Sequence, residues 1–425
     1  MLKLTNSLIK FKSHKPEDIA KYALKNTDFY KKFYSNCDIN NFESLPIMTK
    51  YDLVGVSPYD LLSQKYADKV FLYSETSGSS GSPTPSFLTK KDFEYLLSLS
   101  SLTPYIQDIK NALKENRMAV NGLTFGYTIA GFTFGSLMQK HGAVVAQIGT
   151  RSTIALPKRN AETIVKLKPS IICCTPLDFM TWMELIRLEY PKEYEDVKKN
   201  LKFLLSTAEP CAASRRRQIE QHFDITHINT YATVDGLVSI PCPCGQMHLV
   251  DGLNHVGLYD SNMNYIGVNG KGRLCFTNLV RKTAPLVKYM LDDLVTITDS
   301  CCKYGFKKSI IPHGRYELSL DINGRAWGNV DFEEIIYRHG LFMNYKVKVT
   351  DKCISILLEE YPPANNKVDL ELLEMEIEEL TNIKCNVSLF PSGFLTDCKK
   401  VREAKSVVKV LDMRKSSRQL IPSTL

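Results

Sequence analysis

Ser74-Glu75-Thr76-Ser77-Gly78-Ser79-Ser80-Gly81-Ser82-Pro83-Thr84 decides how the rest of the chain is read. Its eleven positions hold seven Ser or Thr, two Gly and one Pro. That composition suits a flexible linker. Strand-like runs flank it, however: Val70 to Tyr73 reads as a buried strand and Phe87 to Thr89 as a second. A glycine-rich turn between strands can wrap its N–H groups around a phosphate, with hydroxyls as further donors. It is not a Walker loop, because the G-x-x-x-x-G-K-[ST] spacing and its lysine are missing. On the residues alone a phosphate cradle and a tight surface hairpin both fit, since Gly and Ser turns are common.

The surrounding chain has 425 residues, 44% hydrophobic and 24% charged, enough for two or three domains with their own cores. No run of about 18 apolar residues is present, so no membrane span is expected. The opening MLKLTNSLIKFKSHK is basic but lacks a long apolar core, and it reads as mature protein. Twelve Cys without a secretory signal fit a cytoplasmic chain whose thiols are free or hold metal. The net charge of +8 is thinly spread. Arg215-Arg216-Arg217 reads as a solvated face rather than a nucleic-acid patch. A mild positive field also suits anionic substrates.

Taken in order, residues 1–70 read as a helical and irregular cap, with a short helix at Lys50 to Leu53. Lys90 to Ser101 reads as an amphipathic helix. Residues 121–150 are apolar and interrupted by glycine, with a helix expected over Gly135 to His141 and a strand over Ala143 to Ile148. Phe125, Tyr127, Phe132 and Phe134 would line a small-molecule pocket with few polar handles. Helix-then-strand alternation recurs through Ile171 and Leu201 to Leu205, indicating α/β architecture with buried sheets. Ligands in such folds sit at the carboxyl ends of strands, where Thr207-Ala208-Glu209-Pro210 falls. Cys242-Pro-Cys244-Gly-Gln-Met-His248 reads as half a zinc site, and Cys301-Cys302 supplies the second half. Asp292-Asp293 after a strand reads simply as a turn. Beyond residue 314 the pattern changes to short strands and helices, as in a small α+β domain.

The loop at 74–84 resembles the phosphate loop of adenylate-forming (AMP-binding) enzymes, [ST]-S-G-[ST]-[ST]-G-x-P-[TK], with Ser82 where many members carry lysine. Further motifs follow in the order of the phenylacetate–CoA ligase branch. The resemblance implies a large α/β N-terminal domain with several packed β-sheets and helices, residues 1–314. A small mobile α+β C-terminal domain, 315–425, would follow a hinge near 315–317 that includes Glu317. It implies ATP binding by Thr76, Ser77, Gly78, Ser79, Ser80, Gly81 and Thr84. The adenine turn would be Ala208, Glu209 and Pro210. Tyr231-Ala232-Thr233-Val234-Asp235 resembles the "YG-x-[ST]-E" motif, so Tyr231 would stack on adenine and Asp235 would hold Mg²⁺ on a shorter side chain. Asp293 matches the aspartate that grips the ribose, with Asp292 in the glycine's place, and Arg315 would contact ribose or phosphate.

Lys405 best matches the mobile catalytic lysine, with Lys399 and Lys400 as alternatives. Phe125, Gly126, Tyr127, Phe132, Gly135, Ala208 and Tyr231 would surround an aromatic acid. Some relatives carry a structural zinc bound by Cys and His after the adenine motif and by two Cys after the ribose motif. Cys242, His248, Cys301 and Cys302 fall at the corresponding places, and Cys244 would stand in for one of the last two. The implied activity is formation of acyl-AMP and pyrophosphate, then transfer to a thiol, most simply CoA. A carrier-protein pantetheine, an amine, or a non-catalytic nucleotide-binding homologue are the alternatives. A homodimer follows by analogy, with neither nucleic acid nor membrane as partner.

Overall fold

The computed structural model describes residues 13–76, 83–233, 236–364, 368–401 and 409–414. They form two compact units between which the chain passes repeatedly. The first takes its residues from Met1–Asp108, Phe125–Lys140 and Thr230–Ile311, the second from Ile109–Thr124, His141–Asn229 and Pro312–Leu425.

The first unit is built on a seven-stranded sheet. Its order is Ser239–Pro241, Met247–Leu249, Lys308–Arg315, Tyr289–Asp299, Gly270–Asn278, Asn254–Tyr259 and Tyr265–Gly267. Leu258, Phe276, Tyr289, Val295 and Ile297 share a core with Ile19, Ala23 and Tyr30. The latter come from the helices Pro16–Asn26 and Asp28–Phe33. Pro16 presets the first turn of one helix. Thr27 caps the other by accepting the Tyr30 N–H. The Tyr30 hydroxyl accepts the Val287 N–H at 3.0 Å, which satisfies a buried phenol.

The two strands expected around the Ser/Gly loop are present as an antiparallel hairpin, Val70–Glu75 with Pro85–Thr89. The expectation of a buried first strand is corrected: Phe71 is 50% and Tyr73 40% exposed. A two-stranded hairpin leaves one face of that strand to water, and an apolar run by itself does not say how many faces are covered. Thr89 and Asp92 form a capping box that starts the helix Lys90–Leu99. Phe93 of that helix stacks on Phe132 of the helix Ala130–Lys140, centroids 4.9 Å apart.

The second unit holds a five-stranded parallel sheet. Its order is Val144–Gln147, Met118–Asn121, Ile171–Cys174, Phe203–Ser206 and Thr226–Asn229. In chain order this is 2-1-3-4-5, a doubly wound arrangement, and the central Ile-Ile-Cys-Cys and Phe-Leu-Leu-Ser strands are buried throughout. The segment after Pro312 contributes the helix Asn329–Ile336. It also supplies a four-stranded sheet ordered Lys384–Phe390, Cys353–Glu360, Phe342–Val349 and Val410–Asp412. One continuous core joins Phe179, Trp182 and Ile186 beside the parallel sheet to Tyr345, Ile356 and Leu358 of the four-stranded one. Among the described residues no helix is long and apolar enough to cross a membrane.

Candidate functional site

The root of the Ser/Gly loop is fixed by backbone and side chain together. Thr76 N–H donates to Thr84 O at 3.0 Å, and Thr84 N–H donates to Thr76 Oγ1 at 2.8 Å. Thr84 Oγ1 lies 2.6 Å from the Tyr289 hydroxyl, which ties the loop's exit to the seven-stranded sheet. Ser77, Gly78, Ser79, Ser80 and Gly81 lie outside the described residues, as do Asp235 and Lys405.

Tyr289 starts the strand that carries Asp293. Asp293 Oδ2 accepts the Tyr231 hydroxyl at 2.6 Å, a short bond of the kind made to an ionised acceptor. Tyr231 is followed by a two-residue strand, Ala232–Thr233, paired with Gly236–Leu237. Three segments far apart in sequence therefore meet in the first unit: the loop root, the Tyr231 segment and the Asp293 strand. Asp292 is not the plain turn residue that the sequence suggests. It lies within the strand at φ 57°, buried, and pairs with Lys50 at 3.2 Å and Arg273 at 2.9 Å.

The apolar acid segment adjoins the hairpin, with Glu75 N–H donating to Tyr127 O at 2.8 Å. Its aromatic rings are open rather than enclosed: Phe125, Tyr127 and Phe132 are all exposed, while Gly135 is buried in its helix. Gly126 sits at φ 119°, a conformation that favours glycine.

In the second unit the strand Phe203–Ser206 runs into Ala208-Glu209-Pro210, with Ala208 at φ 71°. Glu209 is buried. Its Oε1 accepts from Arg215 at 2.8 Å and Lys409 at 3.3 Å, and its Oε2 accepts the Leu177 N–H at 3.2 Å. Arg215 also donates to Glu333 Oε1 at 2.8 Å. This overturns the reading of Arg215 as part of a solvated basic face. Arg215 is fully buried and Arg217 remains exposed, because Arg215 shares the inward face of the helix Ala213–Phe223 with Ile219 and Phe223. The i, i+4, i+8 spacing was the available signal. Glu333 and Lys409 carried no motif and were missed.

Arg315 ends its strand, and Glu317 lies on the following turn, exposed. Lys399 and Lys400 are exposed, with Lys400 3.4 Å from Asp397.

Cys242, Cys244, His248 and Cys302 bring their ligand atoms within 4.8 Å of one another. The sulfurs of Cys242 and Cys302 are 3.5 Å apart, those of Cys302 and Cys244 3.7 Å, and Cys244 lies 3.2 Å from His248 Nε2. These spacings fit a tetrahedral Cys₃His zinc site. His248 Nδ1 faces the Lys308 carbonyl at 3.2 Å, which holds its proton and leaves Nε2 for the metal. Burial lowers the pKa of His248, favouring the neutral ring that a metal requires. Cys301 is exposed and stands outside the group.

The fold is that of the adenylate-forming ligases. A solved 2-hydroxyisobutyryl-CoA ligase in complex with 2-HIB-AMP superposes with a TM-score of 0.73 at 14% identity, over 93% of this chain and 88% of that one. In sequence the chain is phenylacetate–CoA ligase-like. It is 21% identical over 302 residues to the phenylacetate-coenzyme A ligase of Thermus thermophilus, which is 67% of this chain and 64% of that relative. It is 20% identical over 352 residues to the Escherichia coli enzyme of the same name, 77% of this chain and 76% of that relative. The chain thus matches less than two thirds of the length of the Thermus protein. No protein-family model matches it.

Proposed function

We propose that the chain is an acid–thiol ligase that activates an aromatic carboxylic acid with ATP. The acid's carboxylate attacks the α-phosphate, the bond to the β-phosphate breaks, and acyl-AMP and pyrophosphate form. A thiol, that of CoA in this reading, then attacks the acyl carbonyl and AMP leaves. The observation that carries the proposal is the meeting of the loop root, Tyr231 and Asp293 through the Thr84–Tyr289 and Tyr231–Asp293 hydrogen bonds. Charge stabilisation and positioning suffice for such a transfer, without a covalent nucleophile.

In this reading the loop at 76–84 takes the β- and γ-phosphates, Asp293 takes the ribose and Tyr231 stacks on adenine. The resemblance gives the 208–210 turn an adenine role and Arg315 a ribose role. Asp235 would hold Mg²⁺, which supplies charge neutralisation on the phosphates. Lys405 would meet the acid's carboxylate, and the segment after residue 315 would move between the two half-reactions. Phe125, Tyr127 and Phe132 would offer the acid an aromatic face, open in this structure. Cys242, Cys244, His248 and Cys302 would hold a closed, structural zinc that pins two loops.

ATP–pyrophosphate exchange across aryl and arylacetic acids tests the reading. Exchange with one such acid is expected to fall at least about a hundredfold in Asp293→Ala, the scale of a lost charged contact in the transition state. ATP binding without exchange for any acid would leave a nucleotide-binding protein that has lost the activity. Exchange with no CoA thioester would move the acceptor to a carrier protein or an amine.

A further inference from the structure

Glu209, Arg215, Glu333 and Lys409 form a charge-balanced cluster, and each side chain is at most 6% exposed. Arg215 bridges both carboxylates at 2.8 Å, and Lys409 adds a 3.3 Å contact to Glu209 while lying 3.9 Å from Glu333. Glu333 Oε2 also accepts the Ala212 N–H at 2.8 Å, so the cluster grips the chain on both sides of Pro210. Rings close it from above, with Tyr337 5.4 Å from the Arg215 guanidinium and Tyr345 4.7 Å from the Lys409 amine. Burial and Arg215 lower the Lys409 pKa, and the two carboxylates oppose them.

Buried ion clusters are no more stabilising than well-packed apolar side chains of the same volume, so stability alone does not account for this one. What it does is hold Glu209, beside which Ala208 is kept at φ 71°. A non-glycine residue stays in that region when its surroundings over-determine it, and such strain gathers at ligand-binding turns. Lys409 in turn is fixed by its own backbone: its carbonyl accepts the Val347 N–H at 2.7 Å, where the strand Val410–Asp412 begins.

We propose that Lys409, acting with Arg215 and Glu333 through Glu209, is a positioning residue that presets the 208–210 turn for nucleotide. The inference rests on the reading of that turn as part of the ATP site. It assigns Glu209 to holding the turn and leaves the turn's backbone and Ala208 to face the base.

The test uses the full chain. Lys409→Met alone leaves two buried carboxylates against one guanidinium and is expected to fold poorly. Lys409→Met combined with Glu333→Gln restores the charge balance and is expected to melt close to wild type. Amide exchange across residues 207–212 and MgATP affinity by calorimetry are then compared. Exchange should quicken and affinity should weaken, each about tenfold, the scale of one hydrogen bond to a charged group. A double variant with wild-type exchange and wild-type affinity overturns the proposal and leaves the cluster merely structural. Wild-type protein that binds no MgATP refutes the nucleotide reading itself, which is a different failure from binding that the variant leaves unchanged.

Discussion

Asp292 stands where the resembling motif carries glycine, and its backbone explains the match: φ is 57°, a region that Gly enters freely and Asp tolerates. Its carboxylate has meanwhile acquired two cations, Lys50 and Arg273, in a setting where all three side chains are at most 14% exposed. The two effects oppose each other in Asp292→Gly. Relief of the left-handed backbone gains about 1 kcal/mol. Removal of a carboxylate from a buried ion pair costs about 3–5 kcal/mol. The net expectation is a loss of about 2 kcal/mol or more, read as a lower midpoint of urea unfolding. A raised midpoint would mean that backbone strain outweighs the ion pairs. The same residue shows what sequence alone could and could not yield. The motif located the position, while the partners Lys50 and Arg273 lie 242 and 19 positions away and only packing brings them in.

At the scale of elements, the two pieces Ser239–Pro241 and Met247–Leu249 form a hairpin whose turn carries Cys242 and Cys244 and whose second strand carries His248. The strand Lys308–Arg315 pairs with it, His248 opposite Ser309, and so brings up the turn with Cys302. Of the two adjacent cysteines in that turn, Cys302 joins the group and Cys301 does not. Purified protein is expected to hold about one zinc per chain by elemental analysis. Cys302→Ser and Cys244→Ser should lose it and Cys301→Ser should keep it. Retention in Cys302→Ser with loss in Cys301→Ser would reverse the assignment. The sequence exposed both halves of this group, because Cys and His at short spacing are visible without structure, but it left five candidates for four places. Helices and strands of the parallel sheet were equally legible, since buried apolar runs and helical periodicity are local signals. Arg215 was misread for the opposite reason. Three consecutive arginines look like one surface patch until helical phase turns the first of them inward.

The whole molecule raises a question about separability. The helix Pro176–Glu189 is buried along Pro176 to Ile186, with Phe179, Met180, Trp182, Met183, Leu185 and Ile186 each at most 2% exposed. A helix buried all round, with Asp178, Thr181 and Glu184 as its buried polar residues, must be covered on all sides. The parallel sheet covers one side. The strand Phe342–Val349, from the segment after residue 314, packs against the helix as well. Polar ties follow the same seam: Tyr194 and Tyr361 hydroxyls at 3.2 Å, Ser392 to Glu184 at 3.3 Å, and the Arg215–Glu333 pair. A chain ending at residue 314 would therefore expose a contiguous apolar face and strip Arg215 of one carboxylate. Patches beyond a few hundred Å² mark association surfaces. Such a truncated chain is expected to bind a hydrophobic dye, to self-associate in sedimentation, and to melt well below the full chain. A monodisperse fragment that melts cooperatively near the full chain and binds no dye would show that the last 111 residues are a separable rider. If the face is as demanding as its residues indicate, the movement proposed for that segment must re-cover the helix in its new position, so that any two arrangements of the segment share one apolar surface.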